Sequence, residues 1–333
     1  MQAKNSSPKI LFIGSLVADV IALMHDPKKM EIEEGDRTER LVCIAFASKT
    51  ELGGLTLKPG GSAANSAIAA HKLGAKSALV SAVGNDLFGK MLVGNLRGHG
   101  IDAAGVEVKA GEKSGMSIVL LSAGEKSVLN FPGAVGKLSA KNVNRKMISK
   151  NDAIVLTSLA TKSSFSLFLK AIGLAKKLGR KIIFAPSISM LRDRRKELSA
   201  MHGHFDACVM NREEAEFYSG RRGAGNAIRH IPGKVRVVTD ASNGSYLYEG
   251  GKIFHISVPQ TPVRDTTGAG DTFTGAFTRE LLTSGNPRHA LRTGTAAAAI
   301  KLRHVGAHLT HGLADVRKFE RRHAKELAVR EMG

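Results

Sequence analysis

The sequence predicts an α/β protein with a mostly parallel central sheet that is covered by helices on both faces. Short runs of β-branched or aliphatic residues alternate with amphipathic helical patterns along most of the chain, which is the element order of such sheets. The 36 glycines and the 43% share of hydrophobic residues are typical of a well-packed chain with many tight turns. Because neither an internal repeat nor a low-complexity linker divides the chain, we expect one domain over residues 1–333.

The predicted elements follow one another from the first strand. Residues 10–17 form an apolar run that follows two lysines, which is a pattern that a signal peptide also shows. Because Asp19 follows the run and no small-residue cleavage pattern is present, we predict a strand instead. Apolar residues at helical spacing then mark the helices. The other predicted strands are 77–83, 153–157, 181–184 and 235–239, and the predicted helices are 66–73, 87–96, 165–175, 272–282, 290–301 and 316–329.

Two regions interrupt this alternation. Residues 20–58 and 115–131 contain short strands separated by turns, with glycines at Gly115, Gly124 and Gly133, and they show no helical period. In an open α/β fold, ligands bind beyond the carboxyl ends of the strands. We therefore expect these regions to form a small β-sheet that lies over the ligand site as a lid.

Charge and cysteine content limit the functional classes. The chain has 49 Lys+Arg and 29 Asp+Glu, a net charge of +20, which suits a phosphate-rich partner such as RNA or, equally, an ordinary enzyme with a basic surface. The basic residues are spread along the chain and aromatic residues make up only 5%, so we do not expect a nucleic-acid partner. The two distant cysteines, Cys43 and Cys208, suit a cytoplasmic protein, and no apolar run reaches transmembrane length, so no membrane partner is expected.

The segment 265–273 carries the clearest chemistry. Its small residues Gly268, Ala269 and Gly270 precede a predicted helix, where unpaired backbone N–H groups attract anions. Asp271 lies in the first turn of that helix. It could cap the helix, or it could accept a proton from a substrate hydroxyl while the turn stabilises a transferring phosphoryl group.

Two further segments could bind an anion or a metal. In residues 60–65, the pair Gly60 and Gly61 precedes the start of a predicted helix. The pair could form a plain tight turn, or its backbone could bind an anion. Asn211 and Glu214 have the spacing of a capping box, and the same two side chains could also orient magnesium and its waters.

Two glycine-rich segments fail better-known nucleotide fingerprints. Residues 84–90 come close to a P-loop, but Met91 stands where a Ser or Thr must bind magnesium and Asp86 would place a negative charge in the cradle, so we predict a strand-to-helix turn. Phe273 replaces the last small residue of the dinucleotide fingerprint, which argues against an NAD-linked oxidoreductase.

Taken in this order, the segments from Gly14 to about Thr310 resemble the ribokinase-like, pfkB-type carbohydrate and nucleoside kinases. The resemblance implies a ribokinase-like three-layer α/β/α sandwich with a small β-sheet lid, a transfer of phosphate from ATP with Mg²⁺ to a hydroxyl of a sugar or nucleoside, and a homodimer formed through the lid. It implies Asp271 as general base beside the anion hole of residues 268–270. The residues implied for substrate are Asp19, Gly60, Gly61 and Asn65; those for nucleotide and magnesium are Asn211, Glu214, Thr239, Gly244 and Thr267.

The same resemblance raises K⁺ as an activator and leaves the substrate open. The implied cation ligands are Asp265 and the backbone near Thr267 and Gly306, with Thr310 as a weaker candidate. Departures from ribokinase limit the substrate assignment: Ser62 replaces a lysine, Ala160 replaces an acidic substrate ligand, and Ala241 occupies a position where glycine is usual. A nucleic-acid-binding or regulatory protein on a kinase-like fold is the alternative that the net charge suggests.

Overall fold

The computed structural model describes residues 7–25, 27–34, 37–122, 125–159 and 161–332. The strands β1 to β16 are, in order, Lys9–Ile13, Val17–Met24, Lys28–Glu34, Arg37–Cys43, Leu52–Gly60, Lys76–Gly84, Asp102–Lys109, Met116–Ser122, Glu125–Phe131, Ala153–Leu156, Lys181–Phe184, Ala207–Asn211, Val235–Thr239, Ser245–Glu249, Lys252–Ile256 and Arg330–Met332. The helices α1 to α10 are Ser62–Lys72, Leu87–Gly98, Arg145–Ser149, Lys162–Lys177, Ile188–Ser199, Arg212–Ser219, Ala224–Ala227, Ala269–Ser284, Pro287–Leu302 and Leu313–Arg322.

The main sheet has ten strands in the order β16-β15-β14-β13-β12-β11-β10-β1-β6-β7. All pairs from β13 to β7 are parallel, whereas β14, β15 and β16 add antiparallel pairs at one edge. The predicted mostly parallel sheet is therefore confirmed, with an antiparallel edge that the sequence reading did not anticipate.

Helices cover both faces of this sheet, because side chains of each buried strand alternate between two hydrophobic clusters. In β1, Ile10 and Phe12 pack with α1, α2, α8 and α9, whereas Leu11 and Ile13 pack with α4, α5 and α6 on the other face. This is the three-layer α/β/α arrangement that the sequence predicted.

The two irregular regions together form a small sheet separate from the main one, as predicted, and the first region also contains a two-stranded sheet. β2, β5, β8 and β9 make a four-stranded sheet in the order β5-β2-β8-β9, and β3 pairs with β4. Asp19 in β2 lies opposite Lys58 in β5 and Ser117 in β8. The predicted turn at Gly124 falls outside the described residues.

Several predicted boundaries need correction. The predicted first strand is two strands, because the chain leaves the main sheet after Ile13 and enters the four-stranded sheet at Val17. The tail helix ends at Arg322 rather than near residue 329, because the chain then turns and adds β16 to the edge of the sheet. The interpretation of residues 84–90 as a strand-to-helix turn is confirmed, since Asp86 caps α2 by accepting the Gly89 N–H at 2.7 Å.

Candidate active site

A cavity of about 300 Å³ lies at the carboxyl ends of β10, β11, β12 and β13. This is the edge of an open parallel sheet at which ligands bind. Its wall consists of Ser62, Ser158, Ala185, Pro186, Ser187, Val209, Met210, Asn211, Glu214, Thr239, Thr266, Gly268, Gly270, Asp271 and Thr274. Six of the predicted site residues, from three separate segments of the chain, therefore line the same cavity.

The glycine turn enters this cavity at the start of α8. Gly268 is the residue before the helix, in the left-handed conformation with φ 72°, and a Cβ there would lie 2.2 Å from the Ala307 carbonyl oxygen. The Ala269 N–H donates to the Thr266 carbonyl at 3.2 Å. Within the described part of the chain, the N–H groups of Gly268 and Gly270 have no such partner, so these two amides, rather than all three predicted ones, are available to an anion at the helix N-terminus.

Asp271 is held from the opposite side by α1. The Asn65 side-chain amide donates to a carboxylate oxygen of Asp271 at 2.8 Å, and Asn65 itself is buried. Because Gly268 occupies the cap position of α8, the carboxylate of Asp271 is not its N-cap. The arrangement leaves Asp271 half-buried at the cavity wall, where a carboxylate could accept a proton from a bound hydroxyl group.

Asn211 and Glu214 form the predicted capping box and also line the cavity. Each side chain accepts the other's backbone N–H at 2.8 Å. Burial, together with the negative charges of Glu213 and Asp271, raises the pKa of Glu214 to about 7, although the hydrogen bond from the Asn211 N–H acts in the opposite direction. A positive charge near this carboxylate, such as a hydrated metal ion, would lower the pKa of Glu214 because it favours the ionised form.

The predicted substrate residues Asp19, Gly60 and Gly61 lie beside this cavity wall rather than in it. A Cβ on Gly60 would lie 2.0 Å from an Asp19 carboxylate oxygen, so only glycine leaves room for that carboxylate. Gly61 has φ 104°, and a Cβ there would lie 2.4 Å from the Ser15 carbonyl oxygen. Glycine is therefore required at Gly61 by the neighbouring backbone, whereas a Cβ at Gly60 would displace the Asp19 side chain. Ser62 is the residue of this segment that reaches the cavity.

The predicted nucleotide turn follows β13. The Asp240 N–H donates to the Gly244 carbonyl at 2.8 Å, and a Cβ on Gly244 would lie 2.1 Å from the Ile256 carbonyl oxygen. Ala241, at the position where glycine is usual, has φ 46°, a conformation that a residue with a Cβ rarely adopts. The turn is therefore formed in spite of the alanine, with local strain. Ala160, the other departure, falls outside the described residues.

Asp265 lies behind the glycine turn and is highly connected. Its carboxylate accepts the N–H groups of Thr267 and Gly306, both at 2.8 Å. Burial alone would raise the pKa of Asp265, but these backbone donors and the nearby Lys301 lower it overall. The Lys301 amine donates to the Asp265 carbonyl oxygen at 2.7 Å and lies 4.0 Å from a carboxylate oxygen.

Sequence reasoning missed several residues of the site. Ser158, Ser187, Thr266 and Thr274 line the cavity. Ser158 and Ser187 follow predicted strands and Thr266 lies in the predicted glycine segment, so their positions were the available signal, whereas Thr274 lies in the predicted helix 272–282 and gave none. Lys301 gave no such signal. Across the described ranges, no group of three or more His, Cys, Asp or Glu side chains could hold a metal ion. Across those ranges, too, no helix is long and apolar enough to cross a membrane.

Comparison with known proteins identifies relatives over most of the chain. A sequence profile described as pfkB family carbohydrate kinase matches residues 10–311. The chain is 30% identical over 258 residues to a 5-dehydro-2-deoxygluconokinase of Bacillus velezensis, which covers 72% of this chain and 78% of that protein. It is 30% identical over 283 residues to a probable fructokinase-2 of Arabidopsis thaliana, which covers 78% and 85% of the two chains.

Solved structures share the fold. A putative ribokinase II of E. coli in complex with ATP and Mg²⁺ superposes with a TM-score of 0.78 at 23% identity, over 95% of this chain and 100% of that one. A putative ribokinase from Agrobacterium tumefaciens gives a TM-score of 0.78 at 20% identity, over 96% and 99% of the two chains. At these identities, the structures establish a ribokinase-like fold.

Proposed function

The chain belongs to the pfkB family of carbohydrate kinases, which are phosphotransferases acting on sugar hydroxyls, and we propose that it transfers the γ-phosphate of ATP to a hydroxyl of a small sugar with Asp271 as general base. The observation that carries this proposal is the position of Asp271. Its carboxylate is oriented by Asn65 at the wall of a cavity that also contains the amides of Gly268 and Gly270.

The proposed reaction is an in-line displacement. The Asp271 carboxylate accepts the proton of the sugar hydroxyl, and the oxygen forms a bond to the γ-phosphorus. The bond from that phosphorus to the bridging oxygen breaks, and ADP leaves with the electron pair. We assign the N–H groups of Gly268 and Gly270 to stabilise the negative charge that develops on the transferring phosphoryl group, and the Ala269 N–H to hold the turn through the Thr266 carbonyl.

Glu214 and Asn211 are the residues that would hold magnesium through water. Mg²⁺ keeps most of its ligands as water and nucleotide oxygens, so one carboxylate and one amide on the cavity wall fit its requirements. When bound, the ion offsets the charge of the triphosphate. The raised pKa of Glu214 fits this role, because a buried carboxylate among other acidic groups is stabilised when a cation approaches.

The remaining site residues are assigned to the two substrates. We propose that Asp19, Gly60, Gly61 and Asn65 hold the sugar, since Gly60 leaves room for the Asp19 carboxylate and Asn65 already donates a hydrogen bond to the proposed base. Thr239, Gly244 and Thr267 are proposed for the nucleotide, because they border the β13 turn and the glycine turn at the same end of the sheet.

The lid is the proposed dimer contact. Residues that lie opposite one another across β5, β2, β8 and β9 share a face, and register places Leu55, Leu57, Ile118, Leu129 and Phe131 on the face away from Asp19. All five are exposed, Leu55 by 67% and Leu129 by 58%. An apolar sheet face of this kind suits a second copy of the chain. Light scattering tests this dimer. We expect the mass of a dimer for the native protein and the mass of a monomer for a Leu129→Lys variant.

Domain organisation and location complete the proposal. We propose one kinase domain with lid segments near 20–58 and 115–131, in the reducing cytoplasm that suits the two free cysteines, Cys43 and Cys208. K⁺ activation, the remaining cofactor expectation, depends on Asp265, and Lys301 already lies against that residue.

The proposed function is tested by measuring ADP release with ATP and Mg²⁺ across fructose, ribose, 5-dehydro-2-deoxygluconate, adenosine and other nucleosides. Turnover of a sugar supports the proposal, and turnover of nucleosides alone would replace the acceptor with a nucleoside. Salt-sensitive retention on RNA without ADP release from any acceptor would support the nucleic-acid-binding alternative instead.

A further inference from the structure

A lysine is buried completely behind the glycine turn. Lys301 lies in the last turn of α9, its side chain has 0% exposure, and its amine donates to the Asp265 carbonyl oxygen at 2.7 Å. The same amine lies 4.0 Å from an Asp265 carboxylate oxygen. A buried ammonium is costly unless a counter-charge and hydrogen-bond acceptors lie close to it, and Asp265 provides both.

This contact lies directly beneath the proposed anion hole. The Asp265 carboxylate accepts the Thr267 N–H on one side and the Gly306 N–H on the other, so it joins the glycine turn to the loop after α9. The Gly268 backbone packs against Ala307 of that loop so closely that a Cβ has no room. A positive charge at Lys301 therefore acts on the segment that positions Gly268 and the start of α8.

The surroundings of Asp265 do not fit an added monovalent cation. Lys301 already holds its carbonyl oxygen, which is the type of ligand that such an ion uses. The pKa of His304, two residues before Gly306, is lowered by burial and by the nearby side chains of His311, Arg303, Arg264 and Lys301. Positive charge is therefore concentrated around the loop that Asp265 contacts. Thr310, the weaker candidate ligand, is exposed, and its hydroxyl lies 3.0 Å from His311 Nδ1.

We propose that the Lys301 ammonium is a built-in cation of the Asp265 turn, which positions the anion hole and makes the kinase independent of K⁺. Lys301 is a positioning residue, since it acts through Asp265 and the turn rather than on a substrate. The inference rests on the proposed function for its kinetic readout. Its binding readout is independent of any sugar or nucleotide.

The experiment compares the native protein with Lys301→Ala in potassium chloride and in tetramethylammonium chloride at equal ionic strength. The native kinase should show the same kcat and the same melting temperature in both salts. In tetramethylammonium, Lys301→Ala should lose about 100-fold in kcat, the size of effect produced by a small misplacement of catalytic groups. Potassium should restore at least about 10-fold of that loss and raise the melting temperature of the variant by about 2 °C or more, because K⁺ then binds the folded state only.

Arg303→Ala is the matched control, since it removes an exposed positive charge next to Lys301 without opening a buried space. It should behave as the native protein does in both salts. Potassium-dependent turnover or a potassium-specific melting shift in the native protein would overturn the proposal, even if Lys301→Ala does not fold. So would a folded Lys301→Ala variant that responds equally to both salts. Absence of sugar kinase activity in the native protein would contradict the proposed function, and the melting temperatures would still decide whether Lys301 replaces a cation.

Discussion

The side-chain amide of Asn65 donates a 2.8 Å hydrogen bond to the carboxylate of Asp271, joining residues 206 positions apart in the sequence. The bond links the first helix after the lid strand β5 to the helix that follows the glycine turn. It fixes the direction of the proposed base, and three of the predictions below depend on groups within or next to this pair.

Replacing Asp271 with Asn should remove the base and keep the shape of the site. We expect kcat to fall by about 10²–10⁴-fold, the usual contribution of a positioned general base. ATP with Mg²⁺ should still raise the melting temperature, because the amides of Gly268 and Gly270 are retained. Asp315→Asn, at the exposed start of α10, is the control and should keep native kcat. Native turnover by Asp271→Asn would refute the assigned role.

Replacing Asn65 with Asp should place a second carboxylate against Asp271. Two adjacent negative charges disfavour ionisation, so the pKa of the pair rises and the acid limb of the pH–rate profile should move up by about one pH unit. Asn65→Leu removes the hydrogen bond without adding charge. It should lower kcat and move the acid limb up by less than Asn65→Asp does, because it removes one donor to the carboxylate but adds no negative charge. Equal pH profiles for the two variants would contradict the expected charge effect.

The raised pKa of Glu214 predicts a pH-dependent affinity for magnesium and ATP. The carboxylate ionises as the pH rises through about 7, so affinity in the native protein should increase over that range. Glu214→Gln keeps a capping partner for Asn211 but cannot ionise, so its affinity should change less with pH, through ionisation of the nucleotide phosphate alone. Calorimetric titration of both proteins with ATP and magnesium between about pH 6 and about pH 8 measures this difference in affinity. Parallel curves for the two proteins would exclude Glu214 as the cause of the pH dependence.

The same shift affects folding stability with a defined sign. The pKa of Glu214 is raised above its usual value of 4.5, so the folded state favours the protonated form. The stability that this form contributes is fully present below about pH 4.5 and is lost as the pH rises from there to about 7. The melting temperature of the native protein should therefore fall relative to that of Glu214→Gln over this range, in the absence of nucleotide.

Substitutions at Gly268 and Gly270 should separate effects on folding stability from effects on nucleotide binding. Gly268→Ala places a Cβ 2.2 Å from the Ala307 carbonyl oxygen in a left-handed conformation, so it should destabilise the fold by at least about 1–2 kcal/mol. A Cβ on Gly270 meets nothing within 4 Å, so Gly270→Ala should retain stability. If the Gly270 amide contacts a phosphate, the methyl group that Gly270→Ala introduces should hinder this contact and raise the KM for ATP. Chemical denaturation and steady-state kinetics test both changes.

Local pattern was sufficient for much of this architecture. The strands Lys181–Phe184 and Val235–Thr239 have the predicted limits, because each is a short apolar run bounded by polar or turn residues. The antiparallel edge strands from Ser245 onward were missed, because their pairing depends on neighbours rather than on an apolar run. The tail helix was predicted too long for the same reason, since β15 draws the end of the chain into the sheet.

The candidate site shows a similar division. Asp271, Asn211 and Glu214 could be identified because each lies at a helix start directly after a strand or a glycine turn. Lys301 could not, because a lysine in the last turn of a helix ordinarily faces solvent and favours the helix dipole. Only the packing of α9 behind Asp265 makes it a buried residue. The Asn65–Asp271 contact is likewise a product of tertiary packing.

That contact has a consequence for biosynthesis. A growing chain that has already formed β1, the lid strands and α1 still lacks the partner of Asn65, which is made more than two hundred residues later. Closing such a long loop is among the slower events in the folding of a domain. Catalytic competence should therefore emerge only after the polypeptide has passed α9, and fragments released earlier should be inert however well their first helices fold.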